Sequence, residues 1–192
     1  MSPSPRRRRT NTDEPPRTGA AAVDPEPDPE SVARSIALRQ LTGAPRSRHQ
    51  LAEAMARRGV EEAVAERVLD RFTDVGLIDD AEYAQMLVRS QRESRGLARR
   101  GLAVELRRRG ISDEHAEEAL ATVDAEAEEA TAREILRRRW RSGPGVDPQA
   151  QARRALSMLA RKGYPHGLSA RLVREMVDDR GNDPWHTAGG LD

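Results

Sequence analysis

Apolar residues recur every three or four positions from residue 30 to residue 179, which is the spacing that places side chains on one face of an α-helix. The first three helices are predicted around Val32, Ala33, Ile36 and Ala37; Leu51 and Met55; and Val64, Val68, Leu69 and Phe72. Six more are predicted around Tyr83, Ala84 and Leu87; Leu102 and Leu106; Ala116, Ala119, Leu120 and Val123; Ala132, Ile135, Leu136 and Trp140; a start at Asp147 and Pro148; and Leu168, Leu172, Val173 and Met176.

One helical segment, with two apolar residues four positions apart and basic residues before a glycine, occurs three times. The copies occupy residues 51–60, 102–111 and 155–164. Their glycines, Gly59, Gly110 and Gly163, lie 51 and then 53 residues apart. A period of this length indicates tandem structural units.

Apolar residues after each glycine support the same repeat, because they fall at equal offsets in all three copies. The matching sets are Val68, Ala119 and Leu172; Leu69, Leu120 and Val173; and Phe72, Val123 and Met176. A three-helix unit of about 50 residues has a small core and leans on its neighbours. We therefore predict an all-α fold of three tandem three-helix, helix-turn-helix-like repeats that form an elongated, curved array.

The predicted organisation has five parts. They are a disordered Pro-rich tail (1–29), repeat one (30–78), repeat two (79–124), repeat three (125–179) and a disordered C-terminal tail (180–192). The N-terminal tail holds seven of the twelve prolines and too few apolar residues to offset the entropy of ordering.

Helix starts and stops are predicted from local signals. Ser47 and Gln50 have the spacing of a capping box, and Asp79 and Ser112 are expected to cap the helices that follow them. Asp147 precedes a proline suited to the first helical position. The three repeated glycines are expected to end the middle helices in the left-handed conformation.

Composition narrows the functional classes. Aromatic residues make up 3% of the chain, so strands are not favoured. Charged residues make up 34%, so the apolar contacts between helices are expected to be narrow, and the formal net charge is +1. The chain has no cysteine, which excludes disulfides and thiolate chemistry. It has neither a membrane-spanning apolar run nor a secretory signal, so a cytoplasmic protein without membrane attachment is expected.

Catalytic and metal sites are not indicated. Asp79 and Asp80 resemble a paired carboxylate, but a helix N-terminus favours the same residues as caps. The four histidines lie on different elements without acids at ligand spacing, and Gly143 and Gly145 are not followed by a phosphate-loop lysine. We expect no enzymatic activity, no cofactor and no metal.

Basic residues are the candidate functional groups. Residues 89–109 carry eight arginines and two glutamates, whereas residues 112–129 carry eight acids and no basic residue. Arginines that point away from the apolar stripes are Arg89, Arg92, Arg100, Arg107, Arg108, Arg133, Arg137 and Arg138. They are either a solvated helix face or a binding surface for acidic protein or nucleic-acid phosphate.

The second unit carries the most specific pattern. Residues 76–111 read GLIDDAEYAQMLVRSQRESRGLARRGLAVELRRRGI. The Gly-Leu-Ile-Asp-Asp junction, the Tyr-Ala at the head of a helix and the Leu-x-x-x-Leu helix closing on Arg-Gly-Ile resemble the RecX family of recombinase regulators. The resemblance extends over about residues 30–178; the Pro-rich tail and Tyr164-Pro165 in the third unit depart from it.

The resemblance implies a non-enzymatic protein that binds the RecA filament on single-stranded DNA and inhibits ATP hydrolysis and strand exchange. It further implies a role in recombination, DNA repair and the SOS response, and some members of the family also bind single- or double-stranded DNA. No dimerisation segment is evident, so a monomer is expected. The alternatives are a helix-turn-helix transcription regulator that binds DNA and a helical scaffold.

Overall fold

The computed structural model describes residues 28–141 and 147–181, with side chains described up to residue 178. These residues form nine α-helices and no strand. The first unit contains α1 (Pro29–Gly43), α2 (Arg48–Ala56) and α3 (Glu62–Asp74). The second contains α4 (Asp80–Arg95), α5 (Arg99–Arg108) and α6 (Asp113–Ala121). The third contains α7 (Ala125–Arg139), α8 (Pro148–Lys162) and α9 (His166–Gly181).

Both ends of the folded region extend slightly past their predicted limits. Asp28 caps α1 and Pro29 is its first residue, although both were assigned to the N-terminal tail. Helix α9 continues to Gly181. The predictions for residues 1–27 and 182–192, and what the sequence suggested for Gly143 and Gly145, concern positions outside the described residues.

Each unit has its own apolar core, made by its three helices and by short linkers, and Ala98, which precedes α5 of the second unit, contributes to the third core. The fully buried residues at the centres are Leu51, Met55 and Leu69 in the first, Val88, Leu102 and Leu106 in the second, and Leu136, Leu159 and Leu172 in the third. The apolar pattern of the sequence therefore predicted the core correctly. Since burial is divided among three small cores, the contacts between units determine how the array behaves as a whole.

Two predicted core residues lie beyond the helices to which they were assigned. Val123 is buried in the second core, but α6 ends at Ala121. Trp140 packs partly buried against the third core from the position just after α7. Apolar periodicity indicates burial, but it does not fix the residue at which a helix ends.

All four predicted N-terminal caps are present. Ser47 Oγ accepts from Gln50 N at 3.2 Å while Gln50 Oε1 accepts from Ser47 N at 3.2 Å, which completes the capping box. The side chains of Asp79, Ser112 and Asp147 accept from backbone N–H groups two or three residues later. These bonds satisfy donors that a helix leaves without partners in its first turn.

The three repeated glycines end their helices in the same way. Gly59, Gly110 and Gly163 have φ of 75°, 69° and 91°, the left-handed region in which a Cβ is costly. The residue after each glycine donates its N–H to the carbonyl five residues earlier, at 3.1 to 3.2 Å. This is the Schellman arrangement, and the predicted role of these glycines is confirmed.

Successive units are joined by one repeated contact between middle helices. The N-cap residue of α2, Ser47, donates its hydroxyl to the carbonyl of Arg109, just before the glycine that ends α5. The N-cap residue of α5, Ala98, donates its N–H to the carbonyl of Lys162 at 3.0 Å, just before the glycine that ends α8. The N-terminal end of each of these middle helices is thus hydrogen-bonded to the C-terminal end of the middle helix of the following unit.

The junction between the first and second units is completed by polar side chains. Arg48 N donates to Asp80 Oδ1 at 2.9 Å. The hydroxyl of Tyr83 donates to Gln50 Oε1 at 3.1 Å and accepts from Arg109 Nη1 at 2.8 Å. Side chains rather than backbone carry most of this contact.

The junction between the second and third units brings backbones together. A Cβ on Gly163 would overlap the backbone of Gly101 on α5, and a Cβ on Gly101 would overlap the carbonyl of Lys162. Ala98 is fully buried and belongs to the third core, and the buried Tyr164 hydroxyl donates to Gly96 O at 3.0 Å. Two glycines therefore let α5 and α8 approach more closely than larger residues would.

Candidate interaction surface

Three of the predicted arginines form one exposed face of α5. Leu102 and Leu106 bury the inner side of this helix, so Arg100, Arg107 and Arg108 lie on the solvent side. We call these three residues the α5 arginine face. Among the described residues, Arg100 and Arg107 form no ion pair, whereas Arg108 Nη1 lies 3.4 Å from Glu105 Oε2.

The carboxylate of Glu105, on the inner side of α5, partly offsets the positive charge of these arginines. Its side chain is only 12% exposed and lies within 3.8 Å of three arginines, Arg95, Arg108 and Arg109. One carboxylate shared by three guanidinium groups leaves the surrounding surface positive. A buried acid held in this way positions the arginine side chains around it.

The predicted residues of α4 are less uniform. Arg89 is exposed, while Arg92 is half-buried, and within the described part of the chain neither forms an ion pair. Arg92 lines a groove of about 490 Å³ between the C-terminal end of α4 and α7, which we call the α4–α7 groove. The same groove contains Arg138, so the structure brings together two predicted residues from different units.

The surroundings of Lys162 show that cationic side chains are concentrated in the α4–α7 groove. Its ammonium donates to the carbonyl of Arg95 at the end of α4. Burial lowers the pKa of Lys162, and the nearby charges of Arg139 and Arg95 lower it further. Positive charge concentrated in this way favours an anionic partner over a neutral one.

Two of the arginines of α7, Arg133 and Arg138, are paired with glutamates. Arg133 Nη2 lies 2.8 Å from Glu129 Oε1 and 3.3 Å from Glu175 Oε2. Hydrogen bonds from Arg171 and Arg133 lower the pKa of Glu129 from 4.5 to about 2. Arg138 Nε lies 2.7 Å from Glu134 Oε1, whereas Arg137 is exposed and forms no ion pair among the described residues. These pairs join α7 to α9 or stay within α7. Among the predicted arginines, α7 therefore has one without an ion pair in the described part of the chain, whereas α5 has two.

A second groove, of about 520 Å³, separates α5 from α8 and the start of α9. We call it the α5–α8 groove. Arg100 and Arg108 of the α5 arginine face line it, together with Arg95 and Arg161. Sequence reasoning missed Arg95, Arg161 and Lys162, because they come together only when α5 packs on α8.

Asp79 and Asp80 are both used in structural contacts. Asp79 caps α4 through Glu82 N at 2.8 Å, and Asp80 accepts from Arg48 N at the junction. Over residues 28–141 and 147–178, no cluster of His, Asp or Glu could hold a metal ion. No helix within the described ranges is long and apolar enough to cross a bilayer.

Comparisons with known proteins identify the units. Models of the first, second and third three-helix domains of RecX match residues 33–72, 79–120 and 126–173. The chain is 47% identical over 163 residues to the regulatory protein RecX of Streptomyces coelicolor, covering 85% of this chain and 87% of that protein. It is 48% identical over 149 residues to the regulatory protein RecX of Thermobifida fusca, covering 78% and 80%.

Solved structures show the same fold. The crystal structure of RecX from Lactobacillus salivarius superposes with a TM-score of 0.64 and 19% identity, over 78% of this chain and 97% of that one. A second crystal structure of a regulatory protein RecX gives a TM-score of 0.62 and 24% identity, over 79% of this chain and 72% of that one.

Proposed function

Because the chain belongs to the RecX family, we propose that it binds the RecA filament on single-stranded DNA and inhibits its ATP hydrolysis and strand exchange. It acts in this proposal as a non-enzymatic, monomeric regulator of recombination, DNA repair and the SOS response in the cytoplasm. The α5 arginine face supplies the principal contacts, while Arg89, Arg92, Arg133, Arg137 and Arg138 contribute less.

The observation that carries the proposal is the exposure of unpaired arginines at the middle of a three-unit array. Arg100 and Arg107 are exposed and form no ion pairs within the described residues, so their charge is available to a partner. A filament presents acidic protein surface and DNA phosphate at regular intervals. An array of tandem units offers several contact points along such a partner.

ATP hydrolysis by RecA on single-stranded DNA tests the proposal. The parent protein is expected to suppress hydrolysis, and a variant with Arg100, Arg107 and Arg108 changed to Ala is expected to suppress it much less. Inhibition should weaken as salt rises, because exposed charges are screened.

A matched control removes the same charge from the first unit. Arg34, Arg39 and Arg71 are exposed and form no ion pairs among the described residues. Changing these three to Ala is expected to leave inhibition near the parent level. If both triple variants lose inhibition equally, net charge rather than the α5 arginine face is responsible. If the parent itself does not inhibit, the proposed function is wrong.

A further inference from the structure

The α5 arginine face surrounds one exposed apolar side chain. Val104 is 55% exposed, with Arg100 one turn before it and Arg107 and Arg108 one turn after it on the same side of the helix. A valine in this position buries little surface in its own unit. Its contribution to the fold is correspondingly small.

The repeat shows that this residue is special to the second unit. Val104 lies six residues before the glycine that ends α5, and the equivalent residues are Glu53 in α2 and Ser157 in α8. Both of these residues are exposed. A polar residue is therefore compatible with the fold at this position. Among the three repeats, the apolar residue occurs in the second, where the arginines are concentrated.

Val104 is also one of the residues that line the α5–α8 groove. Leu156 of α8 is a half-buried apolar residue of the same groove, and Arg95, Arg100 and Arg161 supply positive charge around it. Glu105 is the one carboxylate among the residues that line the groove, and its contacts are already taken by arginines. The surface is an apolar strip with a cationic border.

This combination distinguishes a protein partner from a nucleic acid. Phosphate contacts need cations and polar donors but no aliphatic group. Bases stack on aromatic rings, and two rings line the groove: Tyr164 is buried with its hydroxyl bonded to Gly96 O, and His166 is exposed at the start of α9. The centres of protein interfaces instead combine buried apolar surface with an enrichment of arginine, which is the pairing that this groove offers.

We propose that Val104 and the α5–α8 groove bind an acidic protein segment. The segment places an apolar side chain against Val104 and Leu156, and its carboxylates pair with Arg100, Arg108 and Arg161. The inference rests on the proposed function, within which it assigns this surface to the protein of the filament rather than to its DNA.

The test compares Val104→Ser with Val75→Ser. Serine is already present at the equivalent position of the third unit, so the first variant should fold normally. Val75 is 63% exposed and follows α3 in the first unit, which makes it a matched control. Binding of both variants and the parent is measured to RecA filaments on a labelled single-stranded oligonucleotide and to the same oligonucleotide without RecA.

Val104→Ser is expected to weaken filament binding roughly five- to tenfold, the range for loss of an apolar anchor, while Val75→Ser has no effect. The loss should persist at high salt, because apolar contact is not screened. Binding to the oligonucleotide alone should be unchanged, and Val104→Ile should restore filament binding.

Each other outcome has a distinct meaning. If Val104→Ser binds filaments like the parent, the apolar anchor is absent and the inference is wrong. Equal losses on filaments and on the bare oligonucleotide would identify a nucleic-acid surface and overturn it too. If the parent does not bind filaments at all, the proposed function fails and this inference fails with it.

Discussion

The junction between the first and second units and the junction between the second and third units use equivalent positions of the repeat but different chemistry. At the first, the side chains of Ser47 and Tyr83 make the connecting hydrogen bonds. At the second, Ala98 N bonds to Lys162 O and the backbones of Gly101 and Gly163 pack directly together.

The difference indicates which part of the array is stiff. Side chains can change rotamer and keep a hydrogen bond while the units rotate. Two backbones in van der Waals contact can be packed this closely in only one relative orientation. We therefore expect the second and third units to move as one body, which carries both the α5–α8 groove and the α4–α7 groove. The first unit is attached to that body by a softer contact.

The largest expected effect comes from adding one methyl group to Gly163. Alanine there must adopt a left-handed φ and overlap the backbone of Gly101, so the free energy of unfolding should fall by about 3 kcal/mol or more. Gly59→Ala is the matched control, because Gly59 has the same conformation with nothing within 4 Å, and it should cost about 1 kcal/mol.

Gly110 should fall between these two positions, because its added Cβ meets the half-exposed side chain of His49 rather than a glycine backbone. Urea unfolding of the three alanine variants measures the order. Equal destabilisation at Gly59 and Gly163 would show that the close packing of α5 on α8 does not matter for stability.

A smaller effect is expected at Ser47. Ser47→Ala removes both the cap of α2 and the bond to Arg109 O, and should cost about 2 kcal/mol. Ser112→Ala removes only the local cap of α6 and should cost about 1 kcal/mol. Hydrogen exchange in α2 should accelerate with Ser47→Ala while exchange in α8 stays unchanged; acceleration in both helices would contradict a soft first junction.

The smallest effect is expected at Tyr164. Tyr164→Phe leaves the carbonyl of Gly96 without this donor and should cost about 1 kcal/mol. Burial raises the pKa of Tyr164 from 10.0 to about 12. The folded state therefore keeps the phenol protonated where the unfolded chain ionises. This stabilisation is complete below pH 10 and disappears as the pH rises to 12.

Denaturation of the parent at pH 9 and pH 11.5 measures this dependence. Tyr164→Phe should lose less stability between the two pH values than the parent does. Equal losses in the two proteins would show that folding does not raise the pKa of Tyr164.

Local features of the fold could be predicted from the sequence, because the residues that make them are close along the chain. The capping bonds of Ser47, Ser112 and Asp147, and the bonds that close the helices at Gly59, Gly110 and Gly163, join residues at most five positions apart. The apolar spacing that predicted the cores is local in the same sense.

Contacts between units could not be predicted in this way. Gly101 was not recognised, because its role depends on Gly163, which lies 62 positions later. The predicted arginines were treated as one set, yet Arg133 is paired with Glu175 across 42 positions, whereas Arg100 forms no ion pair with any residue that the structure describes. Val104 had a signal in the sequence, because the repeat has polar residues at its position, but its groove forms only through packing.

The contact that joins α2 to α5 recurs between α5 and α8. A rotation and translation that repeats along a chain is a screw operation. A filament of identical subunits is also built on a screw. In the function proposed above, the close second junction would hold the second and third units in register on two neighbouring subunits. The softer first junction would let the first unit follow changes in the pitch of the filament.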